Sequence, residues 1–115
     1  MEVNSSQTVN MDDIEYTDDL FVTFEGKLFT GQAVDYYKNG QICKTETYKG
    51  GRKSGVERSF YADGSIKSEH ENIDGGWEGV GRTWFPNGQL KSETRYRRGV
   101  VLEEILWAED GARVK

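Results

Sequence analysis

From Gly31 onward the chain alternates apolar and polar residues in short runs, each broken by an Asn-Gly or Asp-Gly pair. Gly31, Tyr36, Tyr37, Asn39, Gly40 and Ile42 recur without a gap as Gly55, Phe60, Tyr61, Asp63, Gly64 and Ile66. They recur again as Gly79, Trp84, Phe85, Asn87, Gly88 and Leu90, a spacing of 24 residues throughout. A fourth copy over 105–111 ends at Asp110-Gly111, one residue early, and 24–31 reads as the second half of a preceding unit. A fixed period of this length marks a repeat architecture, in which each unit buries its apolar side only against its neighbours. The alternation has the period of a strand, and an Asn-Gly pair favours a tight turn with two residues at positive φ. Each unit is therefore predicted to be a β-hairpin tipped by Asn39-Gly40, Asp63-Gly64 or Asn87-Gly88. The Gly-rich stretches 49–54 and 74–78 are predicted as longer return connections.

An even period keeps equivalent residues on one side of the sheet. Even positions predict an apolar side of Val34, Tyr36, Ile42, Tyr48, Val56, Phe60, Ile66, Val80, Trp84, Leu90 and Tyr96. Odd positions predict a wet side holding Asp35, Thr45, Thr47, Lys67, Glu69, Lys91, Glu93 and Arg95, along with a ladder of rings, Tyr37, Tyr61 and Phe85. Phe24, Tyr48 and Tyr96 share a phase that Asn72 breaks, and Trp77 is a ring outside the pattern. Leu20, Phe21, Val22 and Phe24 are candidates to cap one end. Val100 to Trp107 are candidates for the other, as a strand pair or an amphipathic turn.

Composition fits a thin sheet. Among 115 residues there are 14 glycines, 14 aromatic residues and one proline, with 35% hydrophobic content, which bounds the chain to one small domain with little core material. The net charge of −5 is unevenly placed, because Glu2, Asp12, Asp13, Glu15, Asp18 and Asp19 occur in the first twenty residues with no Lys or Arg. Residues 1–19 are thus an acidic N-terminal arm and residues 20–115 the repeat domain. The arm is either a solvated tail or a segment that engages a basic partner or folds back, with Arg52, Lys53, Arg95, Arg97 and Arg98 as internal counterparts. Deleting it is expected to leave the domain folded.

The unit Gly-x4-aromatic-aromatic-x-Asn/Asp-Gly-x-Ile/Leu, carried by residues 36–40, 60–64 and 84–88, resembles the bacterial variant of the MORN repeat, the form found in YwqK-like antitoxins of toxin–antitoxin and toxin–immunity pairs. The resemblance covers about residues 21–111 and implies a fold that is all-β, a single-layer antiparallel meander of MORN-like hairpins. It also implies a protein-binding function, as an immunity protein or as a scaffold or lipid-associated module; the arm has no counterpart in the motif.

The residue inventory points away from chemistry. One histidine, His70, and one cysteine, Cys43, provide neither a base beside a nucleophile nor a metal-ligand spacing, so no catalysis, metal or other cofactor is expected. His70 shares its slot with Glu46 and Thr94 and reads as a surface or packing residue. Lys and Arg alternate with Glu and Asp, against a nucleic-acid footprint and against a membrane surface, anionic lipid being the weak alternative. No secretion signal or apolar span is read at the N-terminus, and the lone cysteine suits a cytoplasmic protein. The expected partner is a cognate toxin acting on nucleic acid, bound through Asp12, Asp13, Glu15, Asp18 and Asp19. Trp77 and the Tyr37, Tyr61 and Phe85 rings are further contact candidates, and the oligomeric state is left open.

Overall fold

The computed structural model describes residues 7–115, whose regular structure is strands and one short 3-10 turn. Glu2 of the acidic arm lies outside the described residues. The strands are β1 (Thr8–Asn10), β2 (Ile14–Tyr16), β3 (Val22–Phe24), β4 (Lys27–Leu28), β5 (Gly31–Tyr36), β6 (Ile42–Lys49) and β7 (Arg52–Lys53). They continue with β8 (Gly55–Phe60), β9 (Ile66–Ile73), β10 (Gly76–Trp84), β11 (Leu90–Arg97) and β12 (Val100–Leu106). Nine of them form one sheet in the order β1-β5-β6-β8-β9-β10-β11-β12, with β7 beside β6. The repeats are the expected antiparallel meander, and the described molecule measures 48 × 35 × 29 Å. Val100 to Leu106 resolve as a strand, closed by a bridge between Trp107 and Arg113.

Turn chemistry is the reverse of the sequence expectation. At each tip only the glycine has positive φ, at 90° for Gly40, 94° for Gly64, 88° for Gly88 and 90° for Gly111, while the preceding Asn or Asp does not. The Gly40 N–H donates to Tyr37 O and the Tyr37 N–H to Gln41 O, a pattern repeated at the next three tips. This is a three-residue loop, a type I turn followed by a left-handed residue. The tight pairs with two positive φ values are the return connections: Glu25-Gly26 (52°, 80°), Gly50-Gly51 (58°, 85°), Asp74-Gly75 (51°, 87°) and Arg98-Gly99 (51°, 79°). Each joins directly paired strand ends, as Lys49 with Arg52 and Arg97 with Val100.

The division into an even apolar side and an odd wet side also fails, and a bulge in each hairpin is the reason. Between tip and bulge even residues face even residues, as Tyr36 with Ile42, Phe60 with Ile66 and Trp84 with Leu90. Cys43, Lys67 and Lys91 are then left without a partner, and beyond them parity inverts. An extra residue on one strand shifts its alternation against the other. Val34 thus faces Thr45, Arg58 faces Glu69 and Arg82 faces Glu93. Both sides of the sheet carry apolar and polar stretches.

The described part of the acidic arm, residues 7–19, folds back on the domain, which replaces the solvated-tail reading with its alternative. β1 pairs with β5 in parallel, which makes the large sheet mixed, and β2 joins β3 and β4 in a second small sheet. Val9, Val22, Phe29, Ala33 and Tyr48 form the core, with Met11, Ile14 and Phe24 packed against it. The largest apolar cluster therefore lies where the N-terminal cap covers the first unit. A Cβ on Gly31 would stand 2.3 Å from Gln7 O, so this close approach requires glycine.

Candidate functional site

The cap presents the acidic residues on fixed elements. Asp12 and Asp13 sit on the 3-10 turn, whose Asn10 side chain accepts the Asp12 N–H at 2.8 Å. Glu15 lies on β2 opposite Thr23. Asp18 and Asp19 occupy a turn closed by the Leu20 N–H to Thr17 O at 2.9 Å and the Thr17 N–H to Phe21 O at 2.8 Å. All five are exposed, and among the described residues none lies in an ion pair with a Lys or Arg. Three of the five expected counterparts are engaged elsewhere. The Arg52 guanidinium stacks 4.8 Å from the Phe21 ring, Lys53 pairs with Glu46 and Glu57, and Arg95 pairs with Glu103. The arm folds back through apolar and backbone contacts. Beside it a cleft of about 360 Å³ is lined by Tyr16, Asp19, Leu20, Arg52 and Lys53, among others.

The ring ladder has an internal task. The Tyr37 hydroxyl donates to Phe60 O at 2.5 Å and the Tyr61 hydroxyl to Trp84 O at 2.7 Å, so each ring ties its tip to the next unit. Phe85, third in the series, has no hydroxyl to donate. Lys67 and Lys91 hold their ammonium groups 5.7 and 5.5 Å from the Tyr61 and Phe85 rings. Asn39 and Asn87 add amide hydrogen bonds to Ala62 O and Glu109 O of the following tips.

Trp77 and Asn72, the two exceptions to the ring pattern, face each other across β9 and β10. Asn72 leaves the space that a ring fills in other units, and Trp77 reaches into it. The indole stacks on His70 with centroids 3.8 Å apart and meets Tyr96 edge-on at 5.1 Å. Its Nε1 donates to Glu57 Oε1, which also accepts from Asn72. One face and the polar handle of Trp77 are thus occupied inside the domain. The opposing Gly79–Gly81 stretch bulges around His70, and a Cβ on Gly81 would lie 2.4 Å from His70 Cδ2.

Sequence reasoning missed a partly buried polar line in which Tyr48 donates to Glu46 and Lys53 bridges Glu46 and Glu57, with His70 opposite Glu57 on the paired strand. Glu46 is 5% exposed and His70 9%, so their shared slot is an interior row. Burial by itself raises the Glu46 carboxyl, but hydrogen bonds from Lys53 and Tyr48 and the charges of Lys53 and Lys44 hold it below the ordinary carboxylate range. Glu57 is likewise raised by burial and brought lower overall by Asn72, Trp77 and Lys53. Lys53 is lowered by burial but raised overall by its hydrogen bonds to the two carboxylates and their charges. Desolvation holds the His70 imidazole below its ordinary 6.5 against the pull of Glu57 and Glu69. The recurrence of Glu46, His70 and Thr94 at one repeat position was the available signal. Among the described residues no group of three or more His, Cys, Asp or Glu is placed to hold a metal, and no helix is long and apolar enough to cross a membrane.

Sequence comparison matches the MORN repeat variant at residues 29–49, 53–71 and 77–98, more than half of the chain. The chain belongs to the MORN repeat variant family. The matched segments are the three hairpin units, while the acidic cap and the last strand of this MORN protein lie outside them. Among curated proteins no sequence matches it. Among solved structures it is similar to a chain of the crystal structure of accessory secretory protein 1,2 and 3 in Streptococcus pneumoniae. The identity is 19%, the TM-score is 0.42, and the match covers 85% of this chain and 21% of that one.

Proposed function

We propose that this MORN repeat protein is a cytoplasmic immunity protein or antitoxin that neutralises a cognate bacterial toxin by direct binding, without catalysis. The observation that carries this reading is the set of five exposed carboxylates on the cap, Asp12, Asp13, Glu15, Asp18 and Asp19, held on folded elements and engaged by no described basic residue. A toxin that acts on nucleic acid holds its polyanionic substrate on a basic surface. A pre-ordered acidic surface meets that surface with complementary charge and fast, steered association. The repeats serve as the rigid base, with Tyr37 and Tyr61 fixing one unit to the next. In co-expression with the C-terminal domain of a large secreted protein, should a neighbouring reading frame encode one, the protein is expected to restore growth, and changing the five carboxylates to their amides is expected to abolish rescue. Growth restored equally by the amide variant would remove the cap from the interface. No rescue by the unaltered protein, with flotation on anionic vesicles, would instead support a lipid-associated scaffold.

A further inference from the structure

Two of the four tips carry asparagine before glycine, Asn39-Gly40 and Asn87-Gly88, and the other two carry aspartate, Asp63 and Asp110. Asparagine followed by glycine is the sequence in which the next backbone nitrogen most readily attacks the side-chain carbonyl, because glycine puts no side chain in the way. In both tips the reacting groups are held apart by hydrogen bonds. The glycine N–H donates to Tyr37 O at 3.0 Å or Phe85 O at 2.9 Å. The asparagine Oδ1 accepts from Gln41 N or Gln89 N, and Nδ2 donates to the following tip. Attack therefore waits for the tip to open.

The two tips are not held equally. At Asn39 the adjacent Tyr37 hydroxyl ties the loop to Phe60 O, and the amide donates to Ala62 O at 3.0 Å. At Asn87 the corresponding ring is Phe85, which makes no such tie, and the amide donates at 3.2 Å to Glu109 O in the incomplete last unit. We infer that Asn87 is a site of spontaneous deamidation gated by opening of the third tip, and that the missing hydroxyl at Phe85 makes it react ahead of Asn39. The Gly88 nitrogen forms a bond to Asn87 Cγ and the Cγ–Nδ2 bond breaks. Ammonia leaves with the proton given up by the attacking N–H. Water then opens the cyclic imide to aspartate or isoaspartate, with no change of oxidation state. The product loses the donor to Glu109 O and gains a negative charge, unfastening the last hairpin from the third. Asp63 shows that a carboxylate fits the tip itself, where it accepts from the Ser65 N–H and hydroxyl.

The test follows amide-to-acid conversion at each site by peptide mapping during incubation of the whole protein in mildly alkaline buffer. Asn87 is expected to convert about three- to tenfold faster than Asn39, the factor one ordinary hydrogen bond places on an opening equilibrium. Phe85→Tyr should slow Asn87 toward the rate of Asn39, and Tyr37→Phe should speed Asn39. In denaturant the two rates should converge. Equal rates in the folded protein, a Phe85→Tyr variant that deamidates as fast as the parent, or a difference that persists in denaturant would each overturn the inference. The last outcome would assign the difference to local sequence, Pro86 against Lys38.

Discussion

Trp77 and His70 show how a side chain outside the repeat pattern becomes structural. The indole fills the space left at Asn72, so Trp77→Ala opens a void beside His70 and Tyr96. Loss of about 3 kcal/mol is expected in urea unfolding, in the range of large aromatic truncations. Trp77→Phe is expected to recover most of the packing but not the hydrogen bond to Glu57. The same cluster sets an acid sensitivity. Because folding holds His70 below 6.5, the folded state favours the neutral ring, and stability present above that value is lost as pH falls through it. A second loss follows at lower pH as Glu46 and Glu57, held below 4.5, take up protons. Urea midpoints measured across this range should fall in two stages, and His70→Gln should remove the upper one. Neither effect was legible at the residue level, since Asn72 and Trp77 each look like an exception until β9 and β10 are paired.

At the scale of elements, the hairpins were legible and their turns were not. Alternation and the 24-residue period placed the strands correctly, because burial against neighbouring units acts on every copy alike. The turn types were exchanged because Asn-Gly serves both a two-residue loop and a three-residue loop. What separates them is the number of residues between paired strand ends, and each bulge hides that number. Arg98 and Glu25 adopt φ of 51° and 52° without the usual residue types, so their tight turns carried only half a signal. β1 was illegible for a different reason: it is three residues long and docks by parallel pairing and by Val9. Gly31→Ala is expected to displace it selectively. The Gln32 N–H, which donates to Gln7 O at 2.8 Å, would then lose hydrogen-exchange protection while β8 to β11 keep theirs. By contrast, amide variants of the five cap carboxylates should unfold within about 0.5 kcal/mol of the parent, as exposed substitutions usually do. That separates the binding role of the cap from its packing role.

At the scale of the whole molecule, the ends differ and the middle repeats. The cap and the first unit hold the apolar core, whereas the last strand leaves Val100, Val101 and Leu102 more than half exposed. Removal of residues 7–16 is therefore expected to lower the melting temperature far more than removal of residues 107–115, as read by calorimetry. The candidate contacts were legible as a charge asymmetry, but not as a surface, because nothing in a run of carboxylates says that it is strapped to a sheet. The contacts within each unit recur almost unchanged: Arg58 with Glu69 and then Arg82 with Glu93, Ser59 with Ser68 and then Thr83 with Ser92. Because Thr8 also pairs with Gln32, one period away, β1 occupies the place where a preceding unit would dock. Among the described residues β1 is the end strand on that side. The sheet lengthens without loss of either end's contacts only by duplication of an internal 24-residue block, so the reach of this surface is adjustable in whole units while its acidic head stays the same.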